Sequence, residues 1–443
     1  MLQPLTWFEL SFLACAALVA SLLVYVRLTK KDSPLKGDVT VHSNSSDSSK
    51  PERPAGQWLP VQFDYPQVQP CAEDPLTLKP IPYRPFKWGE YHVTMGIRSM
   101  PWDEWIELDC QFQHYYKLRE ARIAARGDRV IRTLPARLGV GSAQLAAVEL
   151  LHELAEYLFR RYPSMYTVSR YPREKSTYGW YGLGDIKDIT IVPLNKTFTL
   201  ADGDPLLTAA LLTQDDLAIM VEGEDGRYYL QACALCNAGT WRLEDKIGLP
   251  LEEIHTRGGV PRYKSKLELS MGRFFRRMPV DKPVIRNNYS FQAVREDSDP
   301  TGLDYSELGW ASTMKGDEDL LQSEGKRWLR DINGSLREVE DKSLMAVTPS
   351  MVWLRTERQT LRRLPISGAI VFTIRVYQTP VTQLVEEPGV PGRMASAIRS
   401  WPEDVAVYKA KSAFEGILDY LDECHNKQLE DGLLPVEGNP FPF

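Results

Sequence analysis

Histidine and cysteine are scarce in this chain, six of each in 443 residues. The cysteines, Cys15, Cys71, Cys110, Cys233, Cys236 and Cys424, are scattered, which argues against a disulfide framework. Cys233 and Cys236 form a lone CxxC. A structural zinc site needs a second pair or histidines at ligand spacing, and the sequence has neither. The pair lies in the mostly apolar run Tyr228 to Cys236, so the two thiols read as buried structure. There is no Gly-rich dinucleotide fingerprint and no Cys-rich cluster motif, the usual holders of a dinucleotide or an iron–sulfur cluster. No Lys/Arg-rich tract is interleaved with aromatics and the formal net charge is -6, so no nucleic-acid partner is expected. No internal repeat is visible.

What is present is globular: 43% hydrophobic and 25% charged residues, with chain enough for one large domain or two smaller ones. At the N-terminus, Leu10 to Val26 carries no charge and is rich in Leu, Ala and Val. With Trp7 and Phe8 it approaches the ~20 residues that span a bilayer. Arg27, Lys30, Lys31 and Lys36 follow it, and no Lys or Arg precedes it. A cleaved secretory signal normally has a basic leading region, which is missing. Residues 1–27 are therefore expected to be a single-pass membrane anchor, with the body on the cytosolic side, at the endoplasmic reticulum. Sequons beginning at Asn44, Asn195, Asn288 and Asn333 point instead to a lumenal body. Such triplets are common by chance, and the charge bias outweighs them.

Residues 28–75 read as a disordered polar stalk, because Ser43 to Pro54 has no apolar residue apart from its prolines. A helical and mixed region is expected over 76–210. Its best helix runs from Ser142, a natural N-cap, to Arg161, with Leu145, Val148, Leu151, Leu154, Ala155 and Leu158 on one face. His152 and Glu153 in this helix lack the second histidine of a zinc protease motif and read as a surface pair. Over 211–380 strands dominate. Two of them, 217–222 and 227–236, flank the hairpin signal Glu224-Asp-Gly226. A helical excursion follows over 241–278, then strands near 284–292, 346–354 and 369–377, with an acidic insertion at 293–345. The tail, 381–443, is helical. The class expected is α+β, an antiparallel sheet with a helical wall around a ligand, extra helical segments at both ends and an N-terminal transmembrane helix.

Arg355-Thr-Glu-Arg-Gln-Thr-Leu-Arg-Arg-Leu-Pro365 lies between the strand-like runs 351–354 and 369–377. It holds five charged residues and a glutamine. Buried unpaired charge is costly, so the cluster is either a solvated turn or the wall of a polar site. Strand alternation puts Glu357 and Gln359 on one face and Thr356, Arg358 and Thr360 on the other. His42 lies in the stalk and His425 in the tail. His255 follows a short helix in the excursion, where an imidazole either ligates a haem iron or hydrogen-bonds a loop.

Pro85-Phe-Lys-Trp-Gly, Met95-Gly-Ile-Arg98, Trp241 to Pro261, Arg273-Phe-Phe275, Arg286-Asn-Asn-Tyr-Ser290 and the block Arg355 to Tyr377 together resemble one family. It is the haem-dependent oxidative N-demethylase alpha-subunit family, a haem-binding PAS enzyme family that also has uncharacterised fungal members. The resemblance spans about Tyr83 to Pro380. It implies a PAS-like haem domain that uses oxygen and reducing equivalents to remove a methyl group from a small alkylamine, releasing formaldehyde. The implied cofactor is haem b iron, with electrons from a separate flavin/iron–sulfur or other reductase. The resemblance places His255 as axial ligand, with His92 and His114 as the alternatives. Arg257, Arg273 and Arg286, with Lys264 and Arg276, become candidate propionate partners, because carboxylates favour arginine. Glu357, Arg358 and Gln359 become the catalytic wall. Glu357 would hold a cationic amine, and Arg358 or Gln359 would donate to developing negative charge.

Two rival classes stay open. A PAS haem sensor or carrier would bind haem without turnover. A lumenal glycosyltransferase would fit the anchor, stalk and globule, but it needs an Asp-x-Asp metal site at a strand end. Asp202-Gly-Asp204 sits in a turn-like segment, and Asp297-Ser-Asp299 and Asp317-Glu-Asp319 lie in the acidic insertion.

Overall fold

Seven antiparallel strands form the central sheet among the described residues. The computed structural model describes residues 53–433, apart from 179, 181–182, 238–241, 294–319, 324–325, 331–335, 340–347, 410 and 412–415. The expected anchor, Trp241 and most of the acidic insertion lie outside the described residues. Among the described residues no helix is long and apolar enough to cross a membrane, so the expected transmembrane helix has no structural support.

In chain order the strands are β1 (Arg98–Ser99), β2 (Ile131–Thr133), β3 (Tyr166–Arg170), β4 (Ile186–Ile191), β5 (Lys196–Thr199), β6 (Asp216–Glu222) and β7 (Tyr228–Ala234). They continue with β8 (Val284–Ala293), β9 (Leu320–Ser323), β10 (Lys326–Arg330), β11 (Leu336–Val339), β12 (Val352–Arg363) and β13 (Ile370–Pro380). The central sheet runs β1-β8-β12-β13-β6-β7-β2, while β3–β5 and β9–β11 form two small sheets. Taken in chain order, β6, β7, β8, β12 and β13 lie side by side as third, fourth, fifth, first, second.

The turns explain the pairing. Between β6 and β7, Gly226 has φ 79°, which a side chain disfavours, and the Gly223 N–H donates to Arg227 O at 2.8 Å. Between β12 and β13 the Leu364 N–H donates to Ala369 O at 2.8 Å, and Gly368 takes φ 69°. Trp58 covers that turn. Its indole N–H donates to Pro365 O at 2.8 Å, and a Cβ on Gly368 would overlap its ring. Residues 53–75, expected in the stalk, thus lie partly against the sheet.

Helices α1 (Phe112–Arg126), α2 (Gln144–Arg161) and α3 (Pro205–Leu212) belong to one side. α2 and α3 share a buried apolar cluster with Leu217, Ile219, Ile285 and Val371 of the sheet. Helices α4 (Leu251–Arg257) and α5 (Glu268–Arg277), joined through a π-helical turn at Tyr263–Leu267, belong to the other. Their Leu251 and Phe275 pack with Ala218, Met220, Leu230, Leu361 and Ile370. The tail forms α6 (Val381–Leu384), α7 (Val390–Arg399), α8 (Glu403–Tyr408) and α9 (Gly416–Glu430), which pack on Tyr289, Phe291, Val352 and Leu354. A sheet covered on both faces carries near-continuous buried runs, which is why β12 and β13 show little alternation in exposure.

Two local expectations are corrected. The buried side of α2 excludes Leu145, which is exposed, and includes Glu149 and Glu153. Glu153 is no surface residue. It accepts from Arg362 at 3.0 Å with both side chains fully buried, while His152 stacks on Tyr178 at 4.4 Å. Asp204 serves as N-cap of α3, accepting the Leu206 N–H at 2.8 Å.

Candidate functional site

β12 is the middle of the charge cluster, and its neighbours decide which way each charge points. β8 and β13 flank it along its length, with Glu357 opposite Asn288 and Val376, and Gln359 opposite Arg286 and Ile374. The segment is therefore neither a turn nor solvated. Period-2 alternation sends Arg355, Glu357, Gln359, Leu361 and Arg363 toward α4 and α5, and Thr356, Arg358, Thr360 and Arg362 toward α1 and α2.

On the α4 side, Glu357 is held by three donors. Arg355 Nε donates to Oε1 at 2.9 Å, Gln359 Nε2 to Oε2 at 2.8 Å and Asn288 Nδ2 to Oε2 at 3.4 Å. Burial pushes this carboxyl up, but the Arg355 charge and the three hydrogen bonds outweigh it, leaving Glu357 below the usual carboxylate range. Its field reaches Lys246, Arg286 and Tyr408. Lys246, half-buried just before α4, is brought down to about 8 by burial, against the opposing charge of Glu357.

His255 faces the same group of charges, since Lys246 and Arg286 both act on it. Its Nδ1 lies 2.7 Å from Leu251 O. A carbonyl accepts, so Nδ1 carries the proton and Nε2 keeps the lone pair in the neutral ring. Burial depresses His255, which favours that neutral form. Tyr263, the first residue of the π-helical turn, stacks on the ring at 4.7 Å and 9°. A lone-pair nitrogen with its other nitrogen fixed by a carbonyl is the arrangement metal-binding histidines use. His92 and His114 are both exposed.

Arg286 is half-buried, and burial lowers it. Its Nε is enclosed and has no hydrogen-bond partner. Arg355 and Arg363 are fully engaged: Arg355 Nη2 donates to Asn237 O at 2.6 Å, and Arg363 Nε donates to Met278 O at 2.7 Å.

The opposite face is an array of buried ion pairs. Arg358 pairs with Glu107 at 2.9 Å and also donates to Glu104 O. Arg375 pairs with Asp109 at 2.6 Å. Arg119 of α1 reaches Asp216 at 2.7 Å, although the register of Asp216 with Ile374 and Gln359 puts that β6 position on the Glu357 face. Asp215 sits among these groups with no hydrogen-bond partner on either carboxylate oxygen. Burial pushes it up to about 7, against the charges of Arg375 and Arg358.

The structure thus brings His255, Arg286, Glu357 and Gln359 to one side of the sheet. It separates Arg358, which faces the α1 and α2 layer and is engaged there. Arg257 is exposed and paired with Glu253 at 2.7 Å. Arg273 and Lys264 are exposed, and Arg276 pairs with Glu222 near the β6–β7 hairpin. Sequence reasoning missed Lys246, and it used Asn288 only within a motif. Asn288 and Arg286 are singled out by their register opposite Glu357 and Gln359, which no local sequence signal carries. The CxxC thiols are buried as expected, and burial lifts Cys236 to about 11.

A haem-dependent class of oxidoreductase matches this chain. The family model for haem-dependent oxidative N-demethylase, alpha subunit-like, matches residues 96–418, and the chain belongs to that family. The family implies a haem cofactor, and the residues present fit one. A neutral His255 keeps a lone pair on Nε2, and Arg286 on the same side has an enclosed and unpartnered Nε, a donor that suits a propionate carboxylate.

Proposed function

We propose that this chain is a PAS-like haem protein that oxidatively N-demethylates a small cationic alkylamine. The strand order third, fourth, fifth, first, second, with a helical excursion between the second and third strands, supports the PAS-like reading. The observation that carries the function is the meeting of His255, Arg286 and Glu357 on one sheet face. In this reading His255 Nε2 would hold the iron of haem b and Arg286 would meet one of its carboxylates. The haem, when bound, supplies the one-electron oxygen chemistry. Glu357 holds the substrate ammonium, and Gln359 keeps that carboxylate in place. Arg358 acts from behind, holding the strand to Glu107.

The overall balance takes oxygen, two electrons and two protons. The methyl carbon leaves as formaldehyde with one oxygen atom, and the other leaves as water. A separate reductase supplies the electrons, since the chain carries no dinucleotide fingerprint or cluster motif. The anchor reading of residues 1–27, with a cytosolic body at the endoplasmic reticulum, rests on the charge bias around that segment.

The test is the absorption spectrum of the full-length chain reconstituted with haem. The wild type is expected to show a Soret band, and His255→Ala to lose it or to shift it to a different ligation state. An unchanged ligation spectrum in the variant removes His255 from the role. A wild type that takes up no haem overturns the reading.

A further inference from the structure

Glu357 is an unusual place for a substrate-binding carboxylate. It lies in the middle of the longest strand of the sheet, where an anion is costly unless it is paired. Among its three donors, one carries charge. That donor is Arg355, two residues earlier on the same strand and on the same face. Arg355 is itself buried, and its second contact leaves the strand altogether, from Nη2 to Asn237 O at 2.6 Å.

Asn237 is fixed from the other side. Its N–H donates to Asp216 Oδ2 at 2.9 Å, and the Cys236 N–H donates to Asp216 Oδ1 at 2.8 Å. Asp216 in turn takes Arg119 Nη1 at 2.7 Å, and Arg119 is anchored by Nε to Ala210 O at 2.8 Å. Arg122 Nη1 closes the same turn onto Cys236 O at 2.7 Å. The signs alternate from α1 to the site: Arg119, Asp216, the Asn237 peptide, Arg355, Glu357. Arg119, Asp216, Asn237 and Arg355 are buried, so each sees its neighbour with little solvent screening, and Glu357 at the end of the line is partly exposed toward the site.

We propose that Arg355 is the positioning residue of the site: anchored through Asn237 to the Asp216–Arg119 pair, it holds Glu357 ionised and aimed at a cationic substrate. This rests on the amine reading above and deepens it. Other charged or titratable groups act on Glu357 from the packed elements: Lys246 before α4, Arg286 on β8 and Tyr408 at the end of α8. Two of them are cations that act on it through their charge. Arg355 is bonded directly, Nε to Oε1 at 2.9 Å. Gln359 and Asn288 donate without charge. Arg355 therefore combines charge and aim. It does not touch the substrate.

The experiment uses the full-length chain and two readouts. The first is the Glu357 carboxylate band, isolated by infrared difference against Glu357→Gln and titrated with pH. The second is the affinity for tetramethylammonium, a cation with no proton to lose. In the wild type the ionised band persists through mildly acidic pH, and affinity is flat from pH 5 to 6, below the range in which Lys246 titrates. In Arg355→Gln the band's midpoint moves up in pH, and affinity at pH 6 falls by roughly tenfold or more toward that of Glu357→Gln. Arg355→Lys, which keeps the charge, returns the midpoint toward the wild type. If the midpoint is the same in wild type and Arg355→Gln, the proposal is overturned. It is equally overturned if Lys fails to restore what Gln loses, because a purely structural role predicts that. A wild type that binds no tetramethylammonium while the midpoint still moves leaves Arg355 in place and overturns the amine reading.

Discussion

Asp215 offers the sharpest test of the buried layer behind the site. It precedes β6 and is fully buried, with neither carboxylate oxygen hydrogen-bonded, and burial lifts it from 3.8 to about 7. A carboxyl raised in the folded state binds its proton more tightly there than in the unfolded chain. Its contribution is therefore complete below the unfolded value and is lost as pH rises through the folded one. At 1.36 kcal/mol per pH unit, Asp215 should withdraw on the order of 3 kcal/mol of stability between pH 5 and pH 8. Asp215→Asn keeps the shape and removes the titration. Urea unfolding of both full-length proteins across that range isolates the effect, since every other group titrates in both and cancels. The variant should gain on the wild type steadily up to about pH 7 and then run parallel to it. A constant difference at all pH values would refute the reasoning and mean that Asp215 is ionised throughout, held by Arg375 and Arg358.

Other outcomes follow from single contacts. Glu153→Gln leaves Arg362 charged and unpaired in a dry site, which should cost about 3–5 kcal/mol in urea unfolding. The paired change with Arg362→Met should recover most of that. Glu357→Gln should leave haem occupancy at the wild-type level, because His255 lies on a different element. Ammonium affinity should fall by about ten- to a hundredfold, measured by titration against the haem spectrum. Haem loss in that variant would make the segment structural. The spectrum of His255→Ala and the Arg355 titration complete the set.

Much of the architecture is carried by local signals. The hairpin at Glu224-Asp-Gly226, the helix ending before Pro163 and the strand runs at 284–292 and 369–377 all depend on turn chemistry and periodicity, which act over a few residues. The alternation in Arg355 to Gln359 also separates Arg358 from Glu357 without any tertiary information. His255 was placed in the helical excursion by its neighbours in sequence, after a short helix, and the structure puts it within that helix, α4.

What the sequence alone could not decide is the sign of each environment. Arg358, Arg362, Glu153 and Asp109 look like surface residues in a string, and they are buried because partners more than 200 residues away neutralise them. Arg286 and Asn288 become site residues through their register with β12, a long-range pairing that no local pattern encodes. The short helix α4 reaches the site because α5 packs with it on the sheet face that presents Glu357. By itself the sequence determined the elements, the family resemblance and the candidate residues. The tertiary structure decided which of those candidates share a face, because burial and charge pairing are properties of neighbours in space.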